Sequence, residues 1–458
     1  MSSLTHFQMS PITLQNVSGL RFLAVSLIAM FMTACGGLGT KLEFHKAAVE
    51  PANYTINYSP SYLIGVEKAS RERIGGPQWG NCEGSDYCFH TKTPDHSPEL
   101  QKKVEERFGD PKGHFVSHIL RYDRQNDGRF AGKSLYNIYV PDGSEQSMQC
   151  SAQGQIGTQA CFNSGWDAVR GLKANIEERV RQDHITHIIV MSTGWNTLQP
   201  ESISNYNEWI ANILAAAQED GQNSFRPLFI GFSWASDWEK WKNWLEGIDF
   251  FNKSNDADEI GLTWANVLVH EVLLPLKHDL GVPVVLIGHS FGARLLSRAI
   301  HSGSILPRKP IVGNQVDLFL GMQGAFSVNR FTSDRGDEGH PYQYFSQAAK
   351  KFILTSSRHD KAVKRAIHTG DRFVGSAHAF EITQENGYTR VFEHAEIDAE
   401  GRWTKLPSTD STKVTMVEAS AMIATNKPGT GGLAHSDVFD KEAGRFIWQA
   451  IKAIGIGP

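Results

Sequence analysis

Cysteine is scarce in this chain of 458 residues: there are 5. None stands in the CxxC spacing of a zinc ribbon or a thioredoxin-like redox site. There is no H-E-x-x-H and no Walker lysine, and the glycine-rich stretch Pro428 to Gly432 lacks the phosphate-loop pattern. No metal, nucleotide or other cofactor is therefore expected. Long runs of basic residues are also missing, and the formal net charge is −4. A nucleic-acid partner needs Lys and Arg clustered on one face, so none is expected. The longest apolar run, Phe22 to Ala34, falls short of the about 20 residues of a membrane-spanning helix. There is no internal repeat and no long low-complexity tract.

That apolar run is uncharged and follows Arg21, which suits the core of a signal peptide covering residues 1–34. It ends in Met32-Thr33-Ala34-Cys35-Gly36-Gly37, which resembles the lipobox of bacterial lipoproteins. The resemblance implies lipidation of Cys35 and an exported protein, lipid-anchored to a membrane of the bacterial cell envelope on the periplasmic side of the outer membrane. The other four cysteines form two close pairs, Cys82 with Cys88 and Cys150 with Cys161. In an oxidising compartment such pairs read as small disulfide loops, although four cysteines allow three pairings.

Residues 35–111 are rich in Pro, Gly, Ser and Asn and read as a linker and irregular region; the folded domain is expected over 112–458. Phe115 to Tyr122 and Ser134 to Val140 are β-rich runs. The joint Asp123 to Gly128 faintly resembles a calcium loop but lacks its acidic third and twelfth positions, so it reads as a hairpin turn. From Trp166 onward strands and helices alternate. Strands are expected at His187 to Met191, Pro227 to Trp234, Val282 to Ile287, Val316 to Met322, Lys351 to Ser356 and Val414 to Ala424. Helices are expected at Trp166 to Gln182, Glu201 to Asp220, Leu262 to Leu280, Leu295 to His301 and Asp437 to Ile454. This alternation implies an α/β fold with a mostly parallel central sheet and helices on both faces.

Gly288-His289-Ser290-Phe291-Gly292 fits G-x-S-x-G, with an apolar strand before it and a helix after it. In that setting the serine sits on a sharp elbow with its Oγ exposed. A serine hydroxyl needs a base. His435 is the candidate, because it follows the last expected strand and a Gly-rich loop and precedes the last helix. Ser436 or Asp437 reads as a cap for that helix. The third member should be a carboxylate after an intervening strand; Asp360 follows KFILTS and a short turn. Asp334 and Asp337 are rivals in a polar loop, and Asp317 lies near the start of its strand. Oxyanion donors are expected at the backbone N–H groups of Phe291 and of Trp195, in the loop after HIIVMS.

Three segments resemble the oxyanion strand, next strand and elbow of bacterial α/β-hydrolases of the esterase/lipase type: Ser192 to Thr197 (STGWNT), Phe232 to Ser236 (FSWAS) and Gly288 to Arg294 (GHSFGAR). The likeness covers about Ile185 to Ile454. It implies an α/β-hydrolase fold and hydrolysis of a small-molecule or lipid ester through an acyl-Ser290 intermediate. An acyltransferase with the same triad and a non-catalytic envelope-binding protein are the alternatives. The insertion over about 234–264 carries Trp238, Trp241 and Trp244 at three-residue steps. It reads as an amphipathic helix or as a lid over an acyl pocket, with Trp234, Trp238 and Trp241 as substrate-binding residues.

Overall fold

The computed structural model describes residues 46–48, 50–68, 98–108, 113–139, 159–195, 197–236, 246–302, 315–332, 342, 345–362, 373–425 and 433–457. They belong to one unit, Phe44–Pro458. Among them eleven strands form a single sheet. In chain order these are β1 (Ser61–Lys68), β2 (His114–Arg124), β3 (Phe130–Asn137), β4 (His187–Ser192), β5 (Pro227–Trp234), β6 (Val284–His289), β7 (Val316–Met322), β8 (Ala349–Ser356), β9 (Phe392–Ile397), β10 (Trp403–Lys405) and β11 (Val414–Glu418). The spatial order is β10-β9-β11-β8-β7-β6-β4-β5-β1-β2-β3. The run from β9 to β1 is parallel throughout, and β10, β2 and β3 pair antiparallel with their neighbours.

Strands β4, β5, β6 and β7 are buried along their whole length, in keeping with the apolar runs at their centres. Successive side chains alternate between two cores. Leu228, Ile230, Phe232 and Trp234 of β5 enter one core, shared with α2 (Gln159–Gln182), α4 (Glu246–Ile260), α5 (Leu274–Leu280) and α6 (Phe291–His301). Phe229 enters the other, with Trp209 and Ile213 of α3 (Gln199–Glu219) and Phe446 and Ile447 of α8 (Lys441–Ala453). Both faces of the sheet are thus covered. The shorter helices α1 (Pro98–Arg107) and α7 (Ala377–Thr383) complete the set of helices that matter below.

Several expectations are corrected. Ser61–Lys68, inside the stretch read as linker, is a sheet strand held between β5 and β2. The sheet therefore begins well before residue 112. Strands β9 and β10 and helix α7 fall where no element was anticipated. The strand expected over Val414 to Ala424 stops at Glu418, where the carboxylate accepts the Ser420 N–H and the chain turns. The joint between β2 and β3 is a hairpin, with Gly128 at φ +84°.

The second half of the insertion read as a lid is interior. Residues 253–260 of α4 are buried, and the helix runs on through two π-helical turns, Gly261–Ala265 and Leu268–Leu273, to α5. The cause is electrostatic as well as apolar. Asp258, with no exposed surface, receives Arg294 Nη2 of α6 at 2.8 Å and Arg330 through Nη1 at 3.1 Å and Nη2 at 3.0 Å. Arg330 Nη1 also donates to the Tyr342 hydroxyl at 2.7 Å. Next to Asp258, Glu259 accepts Arg107 Nε of α1 at 3.1 Å and lies 2.7 Å from His114 Nδ1.

Candidate active site

Because the central strands are parallel, the loops after β4, β6, β7, β8 and β11 leave from one end of the sheet. Ser290, Gln323, Asp360 and His435 all stand there, past the ends of β6, β7, β8 and β11. This is the end at which open α/β sheets bind ligands.

Ser290 links β6 to α6 with φ 54° and ψ −120°. A positive φ is rare for a non-glycine residue, and a strained backbone of this kind costs on the order of 1–3 kcal/mol. Surrounding hydrogen bonds hold it. The Ser290 N–H donates to Met322 O at 3.1 Å, and the Ser290 carbonyl accepts from Ala325 N at 3.1 Å and from Ala293 N at 3.1 Å. The end of β7 and the segment after it thus grip the elbow by both its donor and its acceptor. The turn is tight enough that a Cβ on Gly292 would lie 2.2 Å from Ser192 O, so no side chain fits there.

The loop after β4 lies against the serine: a Cβ on Gly194 would lie 2.7 Å from Ser290 Cβ and 3.1 Å from its Oγ. Two contacts from the end of β5 fix this loop. Trp234 Nε1 donates to Thr193 O at 3.1 Å. Ser236 Oγ donates to Thr197 O at 2.9 Å and accepts the Thr197 N–H at 3.2 Å. Trp195 is half-buried in the same loop. Trp234 was expected to touch substrate; it is instead 2% exposed, with Lys253 Nζ 5.9 Å from its ring centroid. Its indole therefore braces the loop and offers no open face.

Of the two acids weighed that lie among the described residues, Asp360 is beside His435 and Asp317 is not. Asp360 Oδ2 lies 2.6 Å from His435 Nδ1, with the aspartate 2% and the histidine 7% exposed. Asp317 sits at the opposite end of the sheet, accepting the Val284 N–H and pairing with Lys277 and Lys350. Asp437, read as a helix cap, accepts the Thr425 N–H at 2.6 Å and so ties the His435 loop to the segment that follows β11. The N-cap of α8 is Asp440.

His289, the variable residue of the motif, has a part that the motif does not disclose. Its Nε2 donates to the His435 carbonyl at 2.9 Å, and the two rings lie 4.4 Å apart. Burial first, and the neighbouring His435 second, push its pKa well below the ordinary 6.5. The folded protein refuses a proton that the unfolded chain accepts. Stability is therefore full above pH 6.5 and declines as pH falls through that value toward the lower folded one. Burial lowers His187 and His394 in the same direction. Thermal unfolding followed from pH 8 to pH 5 should show this decline, and His289→Gln should make it shallower; equal slopes would contradict this account.

Cys35, Cys82, Cys88, Cys150, Trp238, Trp241, Asp334 and Asp337 lie outside the described residues. Cys161 falls in the first turn of α2, with its side chain outside them. Among the described residues no helix is long and apolar enough to cross a membrane, and no group of three or more His, Cys, Asp or Glu could hold a metal ion. Comparisons with protein-family profiles, curated proteins and solved structures found no match for this chain.

Proposed function

We propose that the protein is a serine hydrolase on an α/β-hydrolase fold that cleaves carboxylic esters through an acyl-Ser290 intermediate. The observation that carries this reading is the Asp360–His435 contact of 2.6 Å at the sheet end where Ser290 occupies a strained elbow. The chain order Ser, Asp, His is that of α/β-hydrolases.

In this reaction Ser290 Oγ attacks the ester carbonyl while its proton passes to His435 Nε2. Asp360 accepts the Nδ1–H, fixing the tautomer and stabilising the imidazolium. The tetrahedral oxyanion receives the backbone N–H groups of Phe291 and Trp195; each such donor is worth about 3–4 kcal/mol of barrier. Collapse breaks the ester C–O bond, and His435 returns the proton to the departing alcohol. Water, activated by the same imidazole, then attacks the acyl carbonyl and releases the acid and Ser290. The bracing of the Gly194 loop by Trp234 and Ser236 supports this role, since preorganised donors need no reorientation during the reaction.

A fluorophosphonate probe provides the test. Attack by Ser290 forms an O–P bond, expels fluoride and passes the hydroxyl proton to His435. Mass spectrometry should find the adduct on Ser290, and Ser290→Ala should take none. A wild-type protein inert to the probe and to an ester panel would overturn the reading in favour of a non-catalytic role.

A further inference from the structure

Gln323 combines features that a filler residue does not need. It stands one position past β7, has no exposed surface, and holds a left-handed backbone at φ 49° without being glycine. Glycine, asparagine or aspartate adopts this conformation at lower cost, so the choice of glutamine points to the side chain.

That side chain is fully engaged. Nε2 donates to Asp360 Oδ2 at 2.9 Å and to Gly375 O at 3.0 Å. Oε1 accepts the Thr355 hydroxyl at 3.0 Å, and the Thr355 oxygen accepts the Gln323 backbone N–H at 2.9 Å. Both amide hydrogens meet acceptors and the amide oxygen meets a donor, so only one orientation of the carboxamide satisfies the site. The Asp360 oxygen it reaches is the one beside His435 Nδ1. The other oxygen, Oδ1, accepts the Ala362 N–H at 3.0 Å. Met322, just before Gln323, and Ala325, two residues after it, hold the backbone of Ser290.

We propose that Gln323 is a positioning residue. It aims Asp360 Oδ2 at His435 and, through one short segment, couples that carboxylate to the elbow carrying Ser290. The proposal rests on the hydrolase reading above. The mechanism follows from the geometry: a carboxylate with both oxygens held by donors cannot rotate away from the imidazole, and the bond to His435 keeps its direction while charge develops on the ring.

Two variants separate positioning from mere filling. Gln323→Asn keeps an amide and suits the backbone conformation better, yet is one methylene too short to reach Asp360. Gln323→Leu keeps the bulk and removes the donor. The readout is the rate constant of fluorophosphonate labelling at Ser290, divided by the folded fraction that circular dichroism gives for each variant, because only folded molecules react. Both variants should react about 10- to 100-fold more slowly than wild type, the loss expected for one hydrogen bond to a charged group. The far-downfield proton resonance of His435 Nδ1–H should also move in both. Wild-type labelling with both variants equally fast and the resonance unmoved would overturn the role of Gln323 alone. Absence of labelling in the wild type would overturn the hydrolase reading and this inference with it.

Discussion

Ser290→Ala and His435→Ala are each expected to lower turnover of a simple ester by on the order of 10⁴-fold, and the double variant is expected to be scarcely slower than either. The three groups act as a unit: the hydroxyl is activated only when the imidazole accepts its proton, and the imidazole is held only while Asp360 takes its Nδ1–H. Asp360→Ala should cost somewhat less, because a poorly oriented imidazole still accepts protons. Far-UV circular dichroism should be unchanged in all of them, which separates lost chemistry from lost folding. Near-wild-type turnover by a well-folded Ser290→Ala protein would place the nucleophile elsewhere.

The second large effect is on stability. Asp258→Ala should destabilise the fold by about 3–5 kcal/mol, the cost of breaking a buried ion pair by removing one partner. Asp258 meets Arg294, one turn into the helix that Ser290 begins, and Arg330, which follows the segment gripping the elbow. The loss should appear as a lowered urea midpoint and, at low denaturant, as slower labelling of Ser290. A change below about 1 kcal/mol, typical of an exposed ion pair, would contradict this expectation.

The sequence was legible where local pattern and tertiary outcome agree. VVLIGH-S-FGARLL reads as strand, turn and helix because each part is driven by its own residues: an unbroken apolar run, two glycines and a helical periodicity. That Asp360 and His435 lie side by side could be read from their places after strands, because parallel strands bring such places together. Strand β1 was missed because SYLIGVEK is a short apolar run in a polar, Pro- and Gly-rich setting; what makes it a strand is pairing with β5, over 150 residues away. The polar stretch NKSNDADE of α4 did not look like core, since its burial depends on cations from three other segments. Trp234 pointed toward a pocket by its type, whereas its indole N–H found a backbone carbonyl. Gln323 left no trace in the sequence: neither a positive φ at a glutamine nor the carboxylate it meets 37 residues later is encoded locally.

The place of β1 in the sheet bears on how the chain acquires its structure. Strands β1, β2 and β3 can zip together as soon as residues 61–137 exist, since both of their contacts are antiparallel and comparatively local. The other edge of β1 then has to wait for β5, and β5 in turn pairs with β4. Until about residue 234 has emerged, the nascent chain presents an apolar strand, YLIGV, with a full row of unsatisfied backbone groups. Such an edge is a template for pairing with another chain. Joins of this sequence separation are also slow to form, which lengthens the exposure. This exposed edge therefore belongs to an early stage, before any residue of the elbow has been made.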